Sequence, residues 1–228
     1  MPIVTVDSVH KRYRLGDQIV AALRGASLMV EEGEFLVLSG PSGSGKSTLL
    51  NIIGCIDTAD SGEVIIEGEQ VVGRSPSELA DLRVRTIGFV FQTFNLLPVL
   101  SAAENVEYPL LLMPELSADE RQKRVKHYLD VVGLSDYAGH RPGQLSGGQR
   151  QRVAIARALA PQGRVILADE PTANLDRATG EEILDLMQAL NRDSGVSFVF
   201  STHDPKVMER ADRLLHIEDG VVQDAPTD

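Results

Sequence analysis

Three observations predict an α/β fold for this chain. In the last third, short continuous apolar strands alternate with helical repeats, the pattern of a parallel sheet covered on both faces. The first third holds short strands suited to an antiparallel patch, and the middle is helical, with three serine-capped starts. Together these predict a single domain over residues 1–228. It has a parallel α/β core, an N-terminal antiparallel β lobe and a helical lobe inserted at about 93–160.

The elements follow in order. Ile3–Val9 alternates apolar and polar side chains, as do Leu28–Val30 and Phe35–Leu38, with Glu32-Gly33 as the turn between the last two. After Lys46, residues Leu49, Leu50, Ile52 and Ile53 share one helical face. Glu63–Glu67 is a further strand, ending at Gly68, and Phe89-Val-Phe leads as a strand into Gln92. Ser101 with Glu104, and Ser117 with Glu120, have the spacing of capping boxes, in which serine and glutamate satisfy each other's free backbone N–H. The first helix should end at Pro109; the second should run to about Val132 and stop at Gly133. Ser146 and Gln149 repeat the spacing and open a helix to about Ala160. Arg164–Ala168 reads as a buried strand, Asp176 to about Asn191 as a helix, and Ser197–Ser201 as a strand. Asp204-Pro205 caps a short helix, and Leu214–Ile217 is the expected closing strand.

Composition narrows the class. With 43% apolar and 24% charged residues among 228, the chain can bury a core, which excludes disordered and collagen-like types. One cysteine excludes a disulfide scaffold. A net charge of −11 opposes nucleic acid as a partner. The apolar runs Leu96–Leu100 and Pro109–Met113 are too short for a membrane span, and the N-terminus lacks an export signal. A compact intracellular unit is expected.

Gly40-Pro41-Ser42-Gly43-Ser44-Gly45-Lys46-Ser47 fits G-x-x-x-x-G-K-[ST] between a strand and a helix, with Thr48 beside it. Glycines let successive backbone N–H groups converge on phosphate oxygens, and the helix adds its positive end. Lys46 would neutralise the β/γ-phosphates and Ser47 would ligate Mg²⁺. A second glycine-backed helix start, Leu145-Ser146-Gly147-Gly148-Gln149, has the makings of another phosphate site. Capping alone explains Ser146 but not two glycines that weaken a helix.

These motifs, with Gln92, the strand Val165–Asp169 followed by Glu170, and His203, stand in an order that resembles the ATP-binding cassette (ABC) family over nearly the whole chain. The resemblance implies an ATP hydrolase in which two cassettes pack head to tail, so that Ser146, Gly147, Gly148 and Gln149 act on the partner's ATP. It also implies that Asp169 holds Mg²⁺, that Glu170 polarises the attacking water, and that Gln92 touches both metal and water. His203 would donate to the γ-phosphate, and Asp176 would belong to the loop that follows the glutamate. Tyr13 would stack on adenine, though a tyrosine packed on an edge strand competes with that reading. Cys55 reads as a small buried side chain on the helix after the phosphate loop, and Arg150, Arg152, Arg157 and Arg164 as a solvated face.

Ala103–Leu111, Gly139–Gln149 and Ala168–Asp176 are similar to the lipoprotein-releasing and macrolide-export (LolD/MacB) branch of the family. Ala173 departs from it, where relatives often carry glycine, but removes no catalytic group. The branch implies a peripheral subunit on the cytoplasmic face of the inner membrane, paired with a second ATPase copy and with transmembrane permease subunits, driving export or lipoprotein extraction. Residues near Gln92–Met113 would wall the docking groove. The apolar cluster Phe94, Leu96, Leu97, Val99 and Leu100 suits such a socket and equally suits the core of the lobe. Control of a cell-envelope process through a membrane partner is the alternative reading. A nucleic-acid- or ribosome-acting cassette is disfavoured by charge and by the short interval from Lys46 to Leu145.

Overall fold

The computed structural model describes residues 2–224 and opens with a hairpin, β1 (Pro2–Leu15) and β2 (Gln18–Glu31), turning at Gly16-Asp17. The strands expected at Ile3–Val9 and Leu28–Val30 are therefore the inner ends of much longer ones. The outer half escapes an apolar pattern because Lys11, Arg12 and Arg14 interrupt it. Lys11 is nonetheless buried, its ammonium donating to Asp57 Oδ1 and the Thr58 carbonyl at 2.7 Å each.

The chain continues through β3 (Phe35–Ser39), α1 (Lys46–Ile53), β4 (Ser61–Ile66), β5 (Glu69–Gln70), α2 (Ala80–Thr86) and β6 (Ile87–Val90). Three helices follow, α3 (Ala102–Glu107), α4 (Ala118–Val131) and α5 (Gly147–Leu159). Then come β7 (Val165–Asp169), α6 (Arg177–Ser194), β8 (Ser197–Thr202), α7 (Pro205–Met208), β9 (Arg213–Glu218) and β10 (Val221–Asp224). The last strand extends the sheet beyond the expected closing strand, pairing back on β9 across Asp219-Gly220.

Two sheets result. One is antiparallel, in the order β2-β1-β4-β5; the other runs β10-β9-β3-β8-β7-β6, parallel except for β10. Side chains alternate across the parallel sheet into two cores. Phe35, Val37, Ile166, Ala168, Phe198 and Phe200 face the helical lobe and α6. Leu36, Leu38, Val165, Leu167 and Val199 face α1 and the β lobe. Phe35 and Phe200 stack at 4.4 Å in the first core. Burial on both faces is why these strands read as unbroken apolar runs.

The capping boxes at Ser101 and Ser146 are complete. At Ser117 only half forms: its hydroxyl accepts from Glu120 N–H, while the Glu120 carboxylate faces Arg124 at 3.6 Å. Helix α3 ends at Glu107, two residues before Pro109 as expected, and Pro109 lies in the first turn of a 3₁₀ segment, Tyr108–Leu112.

The arginine face is not solvated as expected. Arg157 donates to the carbonyls of Phe94 at 2.8 Å and Asn95, and burial lowers its pKa to about 10. Arg150 lies 5.1 Å from the Phe94 ring centre, and Arg152 donates to the Val132 carbonyl at 3.2 Å. These three brace the lobe, while Arg164 is exposed and pairs with Glu32 and Glu67. Cys55 is buried as expected but lies just past the end of α1, at φ 55°.

Candidate functional site

The loop between β3 and α1 folds tightly against the β lobe and β9. Gly40 and Gly45 are required there: a Cβ at Gly40 would lie 2.2 Å from the Ile217 carbonyl oxygen, and one at Gly45 would lie 2.6 Å from that of Ala22. Gly45 caps α1 in the left-handed conformation and offers no side-chain cap, so the first N–H groups of α1 are left to a ligand.

An open cleft of about 680 Å³ lies over this loop. Its lining brings together Pro41, Ser42, Gly43, Gly45, Lys46, Ser47 and Thr48 with Gln92, Asp169, Glu170 and His203. Gly40 and Ser44 do not line it; the Ser44 hydroxyl is buried on the inner side of the loop. Val20, Ala21, Ala22 and Ser201 complete the lining. No local pattern marks those four residues, because their place depends on the length of the hairpin and on the β7–β8 register.

Lys46 is buried, its ammonium donating to the carbonyls of Gly40 at 2.7 Å and Pro41 at 2.9 Å. Asp169, at the end of β7, accepts from Ser47 Oγ at 3.2 Å and Ser201 Oγ at 2.5 Å through one oxygen. Ser47 Oγ, the Asp169 carboxylate and the Gln92 amide oxygen are hard oxygen donors, fitting a divalent cation that takes few protein ligands and leaves the rest to phosphate and water. Among the described residues no cluster of three or more His, Cys, Asp or Glu could hold a metal alone.

Glu170 is mostly shielded, and both carboxylate oxygens have donors. His203 Nδ1 lies 2.7 Å from Oε1, and Thr202 Oγ1 donates to Oε2 at 3.2 Å. An ionised carboxylate only accepts, so Nδ1 carries the proton in this pair. A neutral His203 then has no second proton on Nε2. To donate to a phosphate it must turn away from Glu170 or be protonated. Glu170 itself sits at φ 46°, with its N–H on the Ser201 carbonyl at 2.9 Å.

Tyr13 stands beside the cleft rather than in its lining. Its hydroxyl donates to Asp57 Oδ2 at 2.6 Å; burial, then this bond, raises its pKa to about 12. Burial opposes ionisation of Asp57, but the hydrogen bonds from Lys11 and Tyr13 outweigh it and hold the carboxyl below its ordinary value.

The second glycine-rich start is elsewhere. None of Ser146, Gly147, Gly148 and Gln149 lines the cleft. Gln149 N–H is taken by Ser146 Oγ at 3.2 Å, and Ser146 N–H by Gln149 Oε1 at 2.9 Å. Gly148 also has a reason within its own chain: a Cβ there would lie 2.4 Å from the Thr179 methyl. Asp176 caps α6, accepting from Thr179 N–H at 3.1 Å and Thr179 Oγ1 at 2.6 Å, and its pKa is lowered mainly by that hydroxyl. Asn174 Nδ2 donates to the Gln92 carbonyl at 2.8 Å, joining two loops the sequence leaves 82 residues apart.

Residues 23–173 match the family model described as ABC transporter. The chain is 51% identical over 221 residues, 97% of its length and 94% of the relative's, to an uncharacterized ABC transporter ATP-binding protein of Thermotoga maritima. It is 48% identical over 224 residues, 98% of its length, to a macrolide export ATP-binding/permease protein MacB of Syntrophobacter fumaroxidans, of which it spans only 31%. A solved dimeric structure of the post-hydrolysis state of the ATP-binding cassette MJ0796, bound to ADP and Pi, superposes with a TM-score of 0.89 at 45% identity, covering 99% of this chain and all of that one.

Proposed function

The chain belongs to the ABC transporter family, and we propose that it is an ATP-hydrolysing subunit whose two ATP sites each form between paired copies. One observation carries this reading. The cleft gathers Lys46, Ser47, Gln92, Asp169, Glu170 and His203, whereas residues 146–149 of the same chain lie outside it. The dimeric MJ0796 cassette, similar over its whole length, supports pairing.

In this reading the free N–H groups at the start of α1 and the Lys46 ammonium bind the phosphates, with Lys46 exchanging its loop carbonyls for phosphate oxygens. Ser47, Asp169 and Gln92 would hold Mg²⁺, which when bound supplies charge neutralisation at the β/γ-phosphates. Glu170 accepts a proton from the attacking water as the water oxygen bonds to the γ-phosphorus and the bond from that phosphorus to the β,γ-bridging oxygen breaks, so that ADP leaves with the bridging oxygen. His203, released from Glu170, donates to the γ-phosphate. Tyr13 offers a ring beside the adenine end. The partner's Ser146 hydroxyl and the unused N–H groups of its Gly147 and Gly148 close the site from the far side.

Membrane partners follow from the MacB likeness, in which a cassette of this kind is joined to a permease. Among the described residues no helix is long and apolar enough to cross a membrane. By the MacB likeness, permease segments would hold this cassette at the cytoplasmic face. Leu97, Val99, Tyr108, Leu111 and Leu112 are exposed on the helical lobe and suit that contact, whereas Phe94 is buried. Export or lipid-linked substrate extraction is the corresponding work. The test is Glu170→Gln: it should bind ATP, accumulate as a dimer and lose most turnover. Hydrolysis near the native rate would overturn the assignment of the base.

A further inference from the structure

Gln151 lies in the second turn of α5 and is fully buried. Its Nε2 donates to the Pro171 carbonyl at 2.7 Å, and its Oε1 has no donor within reach among the described residues. A buried amide is costly unless hydrogen-bonded, and an apolar side chain of the same size would fill the space. Packing alone therefore does not ask for glutamine here.

Pro171 directly follows Glu170, whose φ of 46° lies in the left-handed region that few non-glycine residues enter. Such a backbone persists only where its surroundings over-determine it. Glu170 N–H on the Ser201 carbonyl at 2.9 Å, and Ala173 N–H on the Glu170 carbonyl at 3.2 Å, are two restraints. Gln151 supplies a third, and it comes from the helix that begins at Ser146. The same helix end presses Gly148 against Thr179, so its first two turns seat on the segment following Glu170.

We infer that Gln151 is a positioning residue, tying α5, the helix whose start Ser146–Gln149 is the signature of a chain, to the backbone that aims the same chain's Glu170. The inference rests on the paired-site reading. The signature of one chain faces one ATP while its Glu170 serves the other, so this bond links the two ATP sites. Coupling of that kind must show as cooperativity in ATP.

The test is Gln151→Met, which keeps the length and removes the donor. It should melt near the native temperature and bind ATP as the native protein does. Its kcat should fall on the order of 10- to 100-fold with KM within about two-fold, since small misplacements of a catalytic group are this costly. Its Hill coefficient for ATP should fall from above 1 to about 1. Gln151→Glu adds a pH readout. Burial raises a carboxyl pKa, and only the protonated acid can donate to the Pro171 carbonyl. Its turnover relative to native should therefore rise as pH drops from about 8 to about 6. A folded Gln151→Met with native kcat, or a flat Gln151→Glu ratio, overturns the positioning role; if Gln151→Met does not fold, the ratio decides. A native Hill coefficient of 1, or one unchanged in Gln151→Met, overturns the link between sites. Sedimentation of Glu170→Gln with MgATP separates the two ideas. Absence of dimers strikes the paired-site reading, whereas dimers together with native kcat in Gln151→Met strike this inference alone.

Discussion

The two glycine-rich helix starts look alike in sequence and differ in what they leave unsatisfied. At α1, Gly45 provides no side-chain cap, Lys46 is tucked beneath, and the loop lies in a cleft with the carboxylates. At α5, Ser146 and Gln149 satisfy each other completely, and the helix tip stands away from that cleft. On the proposed reading, the first would hold a triphosphate by itself. The second has only a hydroxyl proton and two N–H groups to lend, and must be brought to a ligand. Affinity should therefore reside at α1, and turnover should need both.

The largest expected effect lies on the shared chemistry. Glu170→Gln should lose ~10²–10⁴ in kcat, the usual worth of a general base, with ATP binding retained. Ser146→Arg should bind a fluorescent ATP analogue as the native protein does, with hydrolysis lost; an active variant would dissolve the contrast. Lys46→Ala should do the reverse at the first step and weaken binding itself, visible in the same titration. A smaller effect is expected of Gly148→Ala. Thr179 cannot swing away without giving up its 2.6 Å bond to Asp176, so overpacking should cost about 1–3 kcal/mol in urea unfolding.

The smallest effect concerns Asp57, held by Lys11 and Tyr13 of β1. Its carboxyl pKa is lower in the folded chain than in the unfolded one, so its contribution is complete above about pH 4 and lost as pH falls through the lower folded value. Urea midpoints of the native protein and Asp57→Asn should differ at pH 6 and converge toward pH 3. A constant gap would contradict the ion pair's role.

What the sequence disclosed was local. The phosphate loop, two of three capping boxes and the twice-covered strands carry their cause within a few residues. The helical lobe between β6 and β7 follows from those signals. Hidden features depend on distant partners. The outer half of the β1–β2 hairpin, which carries Val20–Ala22 of the cleft lining, reads as charged until Lys11 is placed on Asp57, 46 residues away. Helix α2 is masked by Asp81, Arg83 and Arg85. Arg157 passes for a solvated side chain until the carbonyls of Phe94 and Asn95 are placed beside it. Gln151 is one polar residue among several until Pro171 meets it.

Mixing two defective variants tests the central claim most directly. Lys46→Ala keeps its signature and loses its phosphate grip; Ser146→Arg does the opposite. Each should be inactive alone. Mixed in equal amounts, random pairing makes half the dimers hybrid, each with one intact site, so ATPase activity should recover toward a ceiling of about a quarter of native, and fall short of it as far as the two sites are coupled. A mixture as inactive as its parts would contradict a site completed by the partner.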